Sequence, residues 1–390
     1  MFITRKSEPI IRNAIQEMPV TALLGPRQCG KTTLAKAIIA GRKDALYLDL
    51  ERPDDFRALS DPQAFFRMHG GKMICLDEIQ GVPEIFPVIR TVVDDAEIRC
   101  TFLILGSASP HLLRQSSESL AGRIRYIELT PFLAEETAGT DEDLRTLWLR
   151  GGFPRSYLAK SDDSSFEWRE DFVRTFLERD IPSLGFRIPA EGMRRFWTML
   201  SHLNAQILNR SRLGESLDIS HHAVQNHLDI LTGSSMVRAL QPFESNVRKR
   251  LVKSPKIYFR DTGILHVLSG IRTGRQLLSH PSYGSSWEGF AMESICAAPE
   301  ISRRWRPFFY GAHGGGEIDL ILDDGQRRIA IEFKASSSPS LTRDFFTALA
   351  DTGIETAWVV APVVRPFPLQ KGIMAGTPMA CIKAISGEMN

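Results

Sequence analysis

Short apolar runs and helical patterns alternate along the first third of the chain. The runs at 20–24, 45–50, 73–76, 101–105 and 124–129 read as strands. Buried parallel strands are apolar at successive positions, and their alternation with helices predicts a parallel α/β sheet. Residues 131–200 lack comparable runs and read as helical, with apolar residues at helical spacing over 166–177 and 194–203. Residues 205–260 predict short helices followed by an extended basic stretch. Strands return at 305–334, and the polar run 336–340 (SSSPS) is a loop. No repeat at a fixed period and no long low-complexity segment is visible.

Size and composition refine this picture. A chain of 390 residues predicts two or three domains, and 43% hydrophobic with 24% charged residues excludes a disordered or fibrous protein. Lys and Arg total 48 against 46 Asp and Glu, so the net charge of +2 gives no whole-chain argument for a polyanionic partner. The five cysteines, Cys29, Cys75, Cys100, Cys296 and Cys381, are odd in number and dispersed, which suggests neither a disulfide framework nor a CxxC metal site. The start MFITRKSEPI lacks the apolar core of a signal peptide, and the longest apolar runs fall far short of the roughly 20 residues that span a bilayer. A cytoplasmic protein without membrane attachment is expected.

One motif carries specific chemistry. Gly25-Pro26-Arg27-Gln28-Cys29-Gly30-Lys31-Thr32 fits GxxxxGK[ST], and Thr33 continues it into a helical pattern. It follows an apolar strand, which is the context a phosphate-binding P-loop requires. The backbone N–H groups of such a loop turn toward phosphate, Lys31 can reach the β- and γ-phosphates, and Thr32 can ligate Mg²⁺. Downstream, the run at 73–76 ends in Asp77-Glu78. Asp77 is placed to hold Mg²⁺, and Glu78 to polarise an attacking water. A third run ends at Gly106-Ser107, where Ser107 can contact the γ-phosphate or the water. Ser109 before Pro110 reads as a helix N-cap. Arg123, with Arg125 two residues on, is a candidate arginine finger acting in cis or on a neighbouring subunit of a homo-oligomer, or else a surface arginine.

GPRQCGKTTL, CLDEIQ, ILGSAS and SLAGR, in this order, resemble prokaryotic AAA-type ATPases that carry a C-terminal domain of unknown function. The resemblance continues through GGFPRSYL, FLERDI, the segment from LNRSRL to LDIL, KRLVKSPKIYFRDTGIL, SWEGF and EIDLIL to IEFKAS, and so covers nearly the whole chain. It implies ATP and Mg²⁺ as ligands. Cys29 departs from the more usual Val, and a small apolar residue suffices there.

Residues 211–217 read as a short helix, 218–220 as a tight turn, and 221–231 as a second helix with Val224, Leu228 and Leu231 on one face. The opposite face offers His222 and Gln225. A strand at 236–243 and a basic stretch follow, so the segment has a winged helix-turn-helix pattern. Over 241–260, Arg248, Lys249, Arg250, Lys253, Lys256 and Arg260 against Glu244 leave +5. Two readings stand. One is DNA binding, for which five phosphate contacts give a slope of log K against log salt of about −4.5. The other is a fold used for protein contacts or as a lid.

Near the C-terminus, Asp319 lies on an alternating strand and Glu332-Phe333-Lys334 ends the next. With a two-residue turn at Asp324-Gly325, Asp319 faces Ala330, and Glu332 is its diagonal neighbour about 7–8 Å away. Two carboxylates so placed can share Mg²⁺, with Lys334 stabilising a phosphorane. The pattern resembles the restriction-endonuclease-like nuclease core, and Glu288 resembles that fold's helical acid. An inactive fold with structural ion pairs to Lys334 is the alternative. The expected architecture is α/β: a P-loop NTPase parallel sheet over 1–130, a helical lid over 131–200, a winged helix over 201–270, and a restriction-endonuclease-like domain over 282–386. Two functions follow from it. Nucleotide state gates a nuclease-like domain on DNA, or the chain is a non-cleaving ATP-dependent switch or scaffold.

Overall fold

The computed structural model describes residues 3–107, 116, 118–137, 139–244, 252–313 and 315–387. Ser109 and the basic triplet Arg248, Lys249 and Arg250 lie outside these residues. The chain divides into two compact units, Met1–Phe132 with Gly233–Ser235, and Leu133–Thr232 with Met236–Asn390. The segments expected to form a lid, a winged helix and a C-terminal domain thus fall almost wholly in one unit.

Unit 1 contains α1 (Glu8–Glu17), β1 (Val20–Gly25), α2 (Lys31–Ile39), β2 (Ala45–Asp49), β3 (Met73–Asp77), α3 (Ile85–Asp94), β4 (Thr101–Ser107) and β5 (Ile124–Glu128). The strands form one parallel sheet in the order β2-β3-β4-β1-β5. β1 and β3 are buried at every position, which accounts for their unbroken apolar runs. The helices are one-sided instead. α1 buries Ile11, Ala14 and Ile15, and α3 buries Ile85, Phe86, Ile89 and Val92. Because β4 lies between β1 and β3, and all strands are parallel, Gly25, Asp77 and Ser107 emerge at one edge of the sheet.

Unit 2 opens with α4 (Asp141–Arg150), α5 (Asp162–Thr175) and α6 (Ala190–Ser201). Then come β6 (Gln206–Ile207), α7 (Arg210–Leu217), α8 (His221–Gly233), β7 (Val237–Leu240) and β8 (Lys256–Phe259), with the strands in an antiparallel sheet ordered β6-β8-β7. Asn209 caps α7, and Asp218 ends it in the left-handed region at φ 55°. Ser220 caps α8 by accepting the Ala223 N–H at 3.1 Å. α9 (Thr262–Leu268) and α10 (Tyr283–Ala297) follow, then β9 (Arg306–Gly311), β10 (Glu317–Asp323), β11 (Arg328–Phe333), α11 (Arg343–Thr352), β12 (Ala357–Val360), β13 (Phe367–Gln370), β14 (Ile373–Gly376) and α12 (Pro378–Ser386). Their mixed sheet runs β13-β14-β12-β11-β10-β9. No helix among the described residues is long and apolar enough to cross a membrane.

The β10–β11 hairpin differs from its expected register. Ile321, not Asp319, pairs with Ala330, and Asp323 pairs with Arg328. The turn centres on Gly325-Gln326, because the Asp324 N–H bonds to the Arg327 carbonyl at 3.2 Å. Gly325 supplies the left-handed φ of 87° that the first loop position demands. Extended by one residue, this register sets Asp319 directly opposite Glu332. The slip from the expected pairing is two residues, so both side chains keep the same face.

A buried hydrogen-bond chain ties α4, α9 and α10 together. The Trp148 indole N–H donates to Ser286 Oγ at 2.9 Å, and Ser286 Oγ lies 2.7 Å from His266 Nε2. His266 Nδ1 meets the Leu149 carbonyl at 2.9 Å. The carbonyl can only accept, so Nδ1 carries the proton and Nε2 accepts from the serine hydroxyl. Burial pushes the His266 pKa down to about 3. The unfolded chain, with an ordinary histidine, takes up this proton below about pH 6.5, so protonation favours unfolding as pH falls through that range. Relative to His266→Gln, the wild type is expected to lose about 1.2 kcal/mol of stability between pH 6 and 5. Urea unfolding of both proteins at each pH checks this, and parallel pH profiles would refute it.

Candidate functional site

The edge of unit 1 where Gly25, Asp77 and Ser107 converge collects most of the P-loop expectations. Gly25 must be glycine, since a Cβ there would lie 2.0 Å from the Leu129 carbonyl oxygen. Cys29 fills the space behind the loop, fully buried, with Sγ 3.4 Å from the same oxygen. Burial raises its thiol pKa, so it serves as a small packing residue. Pro26 is buried, whereas Gln28 and Thr33 are exposed. Gln28 is held at φ 62° and Gly30 at φ 103°, so the backbone reverses immediately before α2. The first three N–H groups of that helix have no intrahelical partner and face the loop.

Lys31 is buried, and its ammonium donates to the Gly25 and Pro26 carbonyls at 3.0 and 2.9 Å. The Thr32 hydroxyl donates to Asp77 Oδ2 at 2.6 Å. The two residues expected to share Mg²⁺ therefore touch. Ser107 pairs in register with Gly25, and its buried hydroxyl has no hydrogen-bond partner among the described residues. Glu78 adopts φ 57°, which turns its side chain out of the strand path. Its Oε2 accepts from the Gln80 amide, and the Arg27 guanidinium lies 4.0 Å away.

Arg123 is not brought to this edge. Val20 pairs with Ile124 at the start of β1, so Arg123 sits at the opposite end of the sheet from the loop. It is chelated there by Asp94 at 2.6 and 2.9 Å. Arg125 pairs with Glu17. This position is incompatible with a finger acting in cis, and within the chain Arg123 makes a surface salt bridge.

Three side chains here escaped sequence reasoning. Tyr47 on β2 donates to Asp77 Oδ2 at 2.7 Å, beside Thr32. Gln80 joins Glu78 to β4, because its Oε1 also accepts the Ser107 N–H at 3.3 Å. Arg5 is buried and bonds to the carbonyls of Cys29, Thr130 and Pro131 at 3.1, 2.7 and 3.3 Å. Only Gln80 had a signal, as the last residue of CLDEIQ. Tyr47 and Arg5 act through long-range contacts that spacing does not reveal.

The helix-turn-helix residues divide. His222 and Lys253 are exposed. Gln225 is held between Arg210 and Asp229, donating to the latter at 2.7 Å. Two charges of the basic stretch turn inward. Lys256 is buried among carboxylates, and Arg260 donates to Glu293 Oε1 at 2.7 Å. Arg238 grips the same carboxylate with two bonds at 2.7 and 2.9 Å. Of the six basic residues counted, only four remain for an external partner, and the triplet 248–250 among them lies outside the described residues.

Glu288, Asp319, Glu332 and Lys334 do lie in one cluster, yet the expected shared metal does not fit it. Among the described residues, no group of three or more acidic, histidine or cysteine side chains is arranged to hold a metal ion. Lys256 Nζ stands in the cluster instead, 2.6 Å from Glu317 Oε1, 3.0 Å from Asp319 Oδ1 and 3.6 Å from Glu288 Oε1. The Phe333 N–H bonds to Asp319 Oδ2 at 3.1 Å, Tyr258 donates to Glu288 at 2.7 Å, and Lys334 donates to Glu332 at 2.7 Å. Burial, then the Asp319 charge, pushes the pKa values of Glu288 and Glu332 up to about 8. The missed signal was the alternation at 256–260. Ile257 and Phe259 are apolar, while Lys256, Tyr258 and Arg260 share the opposite face.

Comparison with known proteins matches three successive segments of the chain. An AAA domain family matches residues 17–138, and two domains of unknown function, DUF8612 and DUF4143, match 141–275 and 283–382. Among solved structures, the chain is similar to the Walker-type ATPase PABY2304 of Pyrococcus abyssi, with a TM-score of 0.45 and 15% identity over 69% of this chain and 96% of that one. Similarity to a single-residue variant of Thermotoga maritima RuvB has a TM-score of 0.32 and 17% identity over 61% of this chain and 90% of that one. Two relatives, the uncharacterized proteins Rv2008c of Mycobacterium tuberculosis and Mb2031c of Mycobacterium bovis, are each 41% identical over 378 residues, covering 96% of this chain and 84% of theirs. The chain belongs to the family of Rv2008c and Mb2031c, and its residues 17–138 carry a P-loop AAA domain.

Proposed function

We propose that the chain is a Mg²⁺-dependent ATPase that acts as a nucleotide-driven switch and does not itself cleave nucleic acid. The observation that carries the first half is the convergence of Lys31, Thr32, Asp77 and the unpartnered Ser107 hydroxyl at one sheet edge. That donor set fits a metal-bound triphosphate. Thr32 and Asp77 would hold the ion, and the loop N–H groups with Lys31 would hold the phosphates. When bound, Mg²⁺ neutralises charge on the phosphates. Lys31 exchanges two carbonyl partners for phosphate oxygens. Ser107 offers a hydroxyl to the γ-phosphate or to the water, and Glu78 accepts a proton from that water.

Gln80 is a positioning residue in this reading. Its amide fixes the Glu78 carboxylate at one end and the β4 terminus at the other, so the base and Ser107 move together. The second half rests on the carboxylate cluster, in which both Asp319 oxygens and one oxygen of Glu332 are met by protein donors. DNA is the proposed partner of the helix-turn-helix surface, where His222 and Lys253 are exposed. The inward turn of Lys256 and Arg260 lowers the number of phosphate contacts to four at most.

Three measurements test this reading. Lys31→Ala is expected to abolish nucleotide binding and phosphate release; a variant with wild-type turnover would sink the ATPase assignment. Gln80→Ala should keep ATP affinity but lower turnover by roughly 10–100-fold, the cost of a misplaced base. An equal loss in binding and turnover would show that Gln80 only supports the loop. In a gel-shift titration, log K should fall with log salt at a slope of about −3.6 for four contacts. A slope near zero removes DNA as a partner.

A further inference from the structure

The carboxylate cluster of unit 2 contains its own cation. β8 carries apolar side chains on one face, with Ile257 and Phe259 buried in the helical core. Its other face delivers Lys256 to the acids, where only 3% of the residue is exposed. A buried ammonium is costly unless it is paired, and this one meets three carboxylates of two different elements, α10 and β10. Burial alone lowers the pKa of a lysine, but here the Asp319 charge and its neighbours outweigh burial and hold it well above the ordinary value.

We propose that the Lys256 ammonium is the resident cation of this cluster, in the place that a divalent ion holds in metal-dependent sites, and that removing it creates a divalent-cation site. Three features favour this assignment. Both oxygens of Asp319 are engaged, one by Lys256 and the other by the Phe333 N–H. Glu288 Oε1 accepts from Tyr258 at 2.7 Å and lies 3.6 Å from Lys256 Nζ, so that oxygen already faces one donor and one cation. Lys334, the lysine expected to serve the reaction, is spent on Glu332 at 2.7 Å. An ion entering the wild-type cluster would therefore meet a fixed positive charge within contact distance of its ligands. The cluster joins β8 to β10 and α10 as an ionic lock. This inference is independent of the ATPase reading, since it concerns unit 2 alone.

The test is titration of the full-length chain with Mn²⁺ alone, without nucleotide, followed by electron paramagnetic resonance of the free ion. The wild type and Asp319→Asn are expected to give the same binding curve, because the wild-type cluster takes no metal. Lys256→Ala should gain one site that binds Mn²⁺ at least about tenfold more tightly than any site of the wild type, as removal of an adjacent charge predicts. Lys256→Ala combined with Asp319→Asn should lose that site. Circular dichroism establishes folding, and Lys256→Met, which keeps most of the stem, serves if the alanine variant does not fold. Wild-type Mn²⁺ binding that Asp319→Asn abolishes would overturn the proposal, as would a folded Lys256 variant that gains no site. If neither lysine variant folds, the wild-type and Asp319→Asn curves decide: identical curves support the proposal and different ones refute it. Failure of the ATPase reading would instead appear as unchanged nucleotide turnover in Lys31→Ala, which this titration does not touch.

Discussion

A charge enters a protein interior only with opposite charge or hydrogen bonds to accompany it. In unit 2 the short segment from β8 into the start of α9 meets this constraint at three positions. Lys256 is matched by Glu317 and Asp319, Arg260 by Glu293, and Asp261 by the N–H groups of Gly152 and Ile264 at 2.7 and 3.0 Å. The partners come from different parts of the chain, so this segment joins β10, α10, α9 and the residues just after α4. Breaking a buried pair on one side costs about 3–5 kcal/mol, enough to make these contacts decisive for the packing of the whole unit. The same residues give no such return on a surface, where an ion pair is worth less than about 1 kcal/mol.

Unit 1 applies the constraint with fewer charges. Asp77 is buried and accepts from both Thr32 and Tyr47, while Lys31 is satisfied by carbonyl oxygens of its own loop. The parallel sheet makes this possible. With β4 between β1 and β3, the loop, the acid and Ser107 leave the sheet side by side. Their proximity follows from strand order and needs no contribution from flexible segments.

Much of this was legible in the sequence, for reasons of periodicity. Apolar runs identified the central strands of the first sheet, with the edge strand β5 (IRYIE) the least continuous, and the P-loop octet with Asp77-Glu78 identified its working edge. The hairpin shows both the reach and the limit of such reasoning. Its register was off by two residues, yet the grouping of Asp319 with Glu332 survived, because strand faces repeat every second residue. Charge counting failed where it ignored the same periodicity. Lys256 and Arg260 were added to an external basic patch, although alternation with Ile257 and Phe259 marked that strand as two-sided and buried. The cis role of Arg123 failed for a different reason: which end of a strand a residue occupies depends on pairing partners more than 100 positions away. Tyr47 and Arg5 left no local trace at all.

Arg5 also separates two meanings of a domain boundary. The AAA family match begins at residue 17, and α1 lies before it. Yet the guanidinium that holds the Cys29, Thr130 and Pro131 carbonyls together belongs to a residue 12 positions further upstream. The segment matched by the AAA family is thus shorter than the compact unit that contains it. A fragment cut at the recognisable edge would keep every residue of the motif and lose the brace that sets the curvature of its loop.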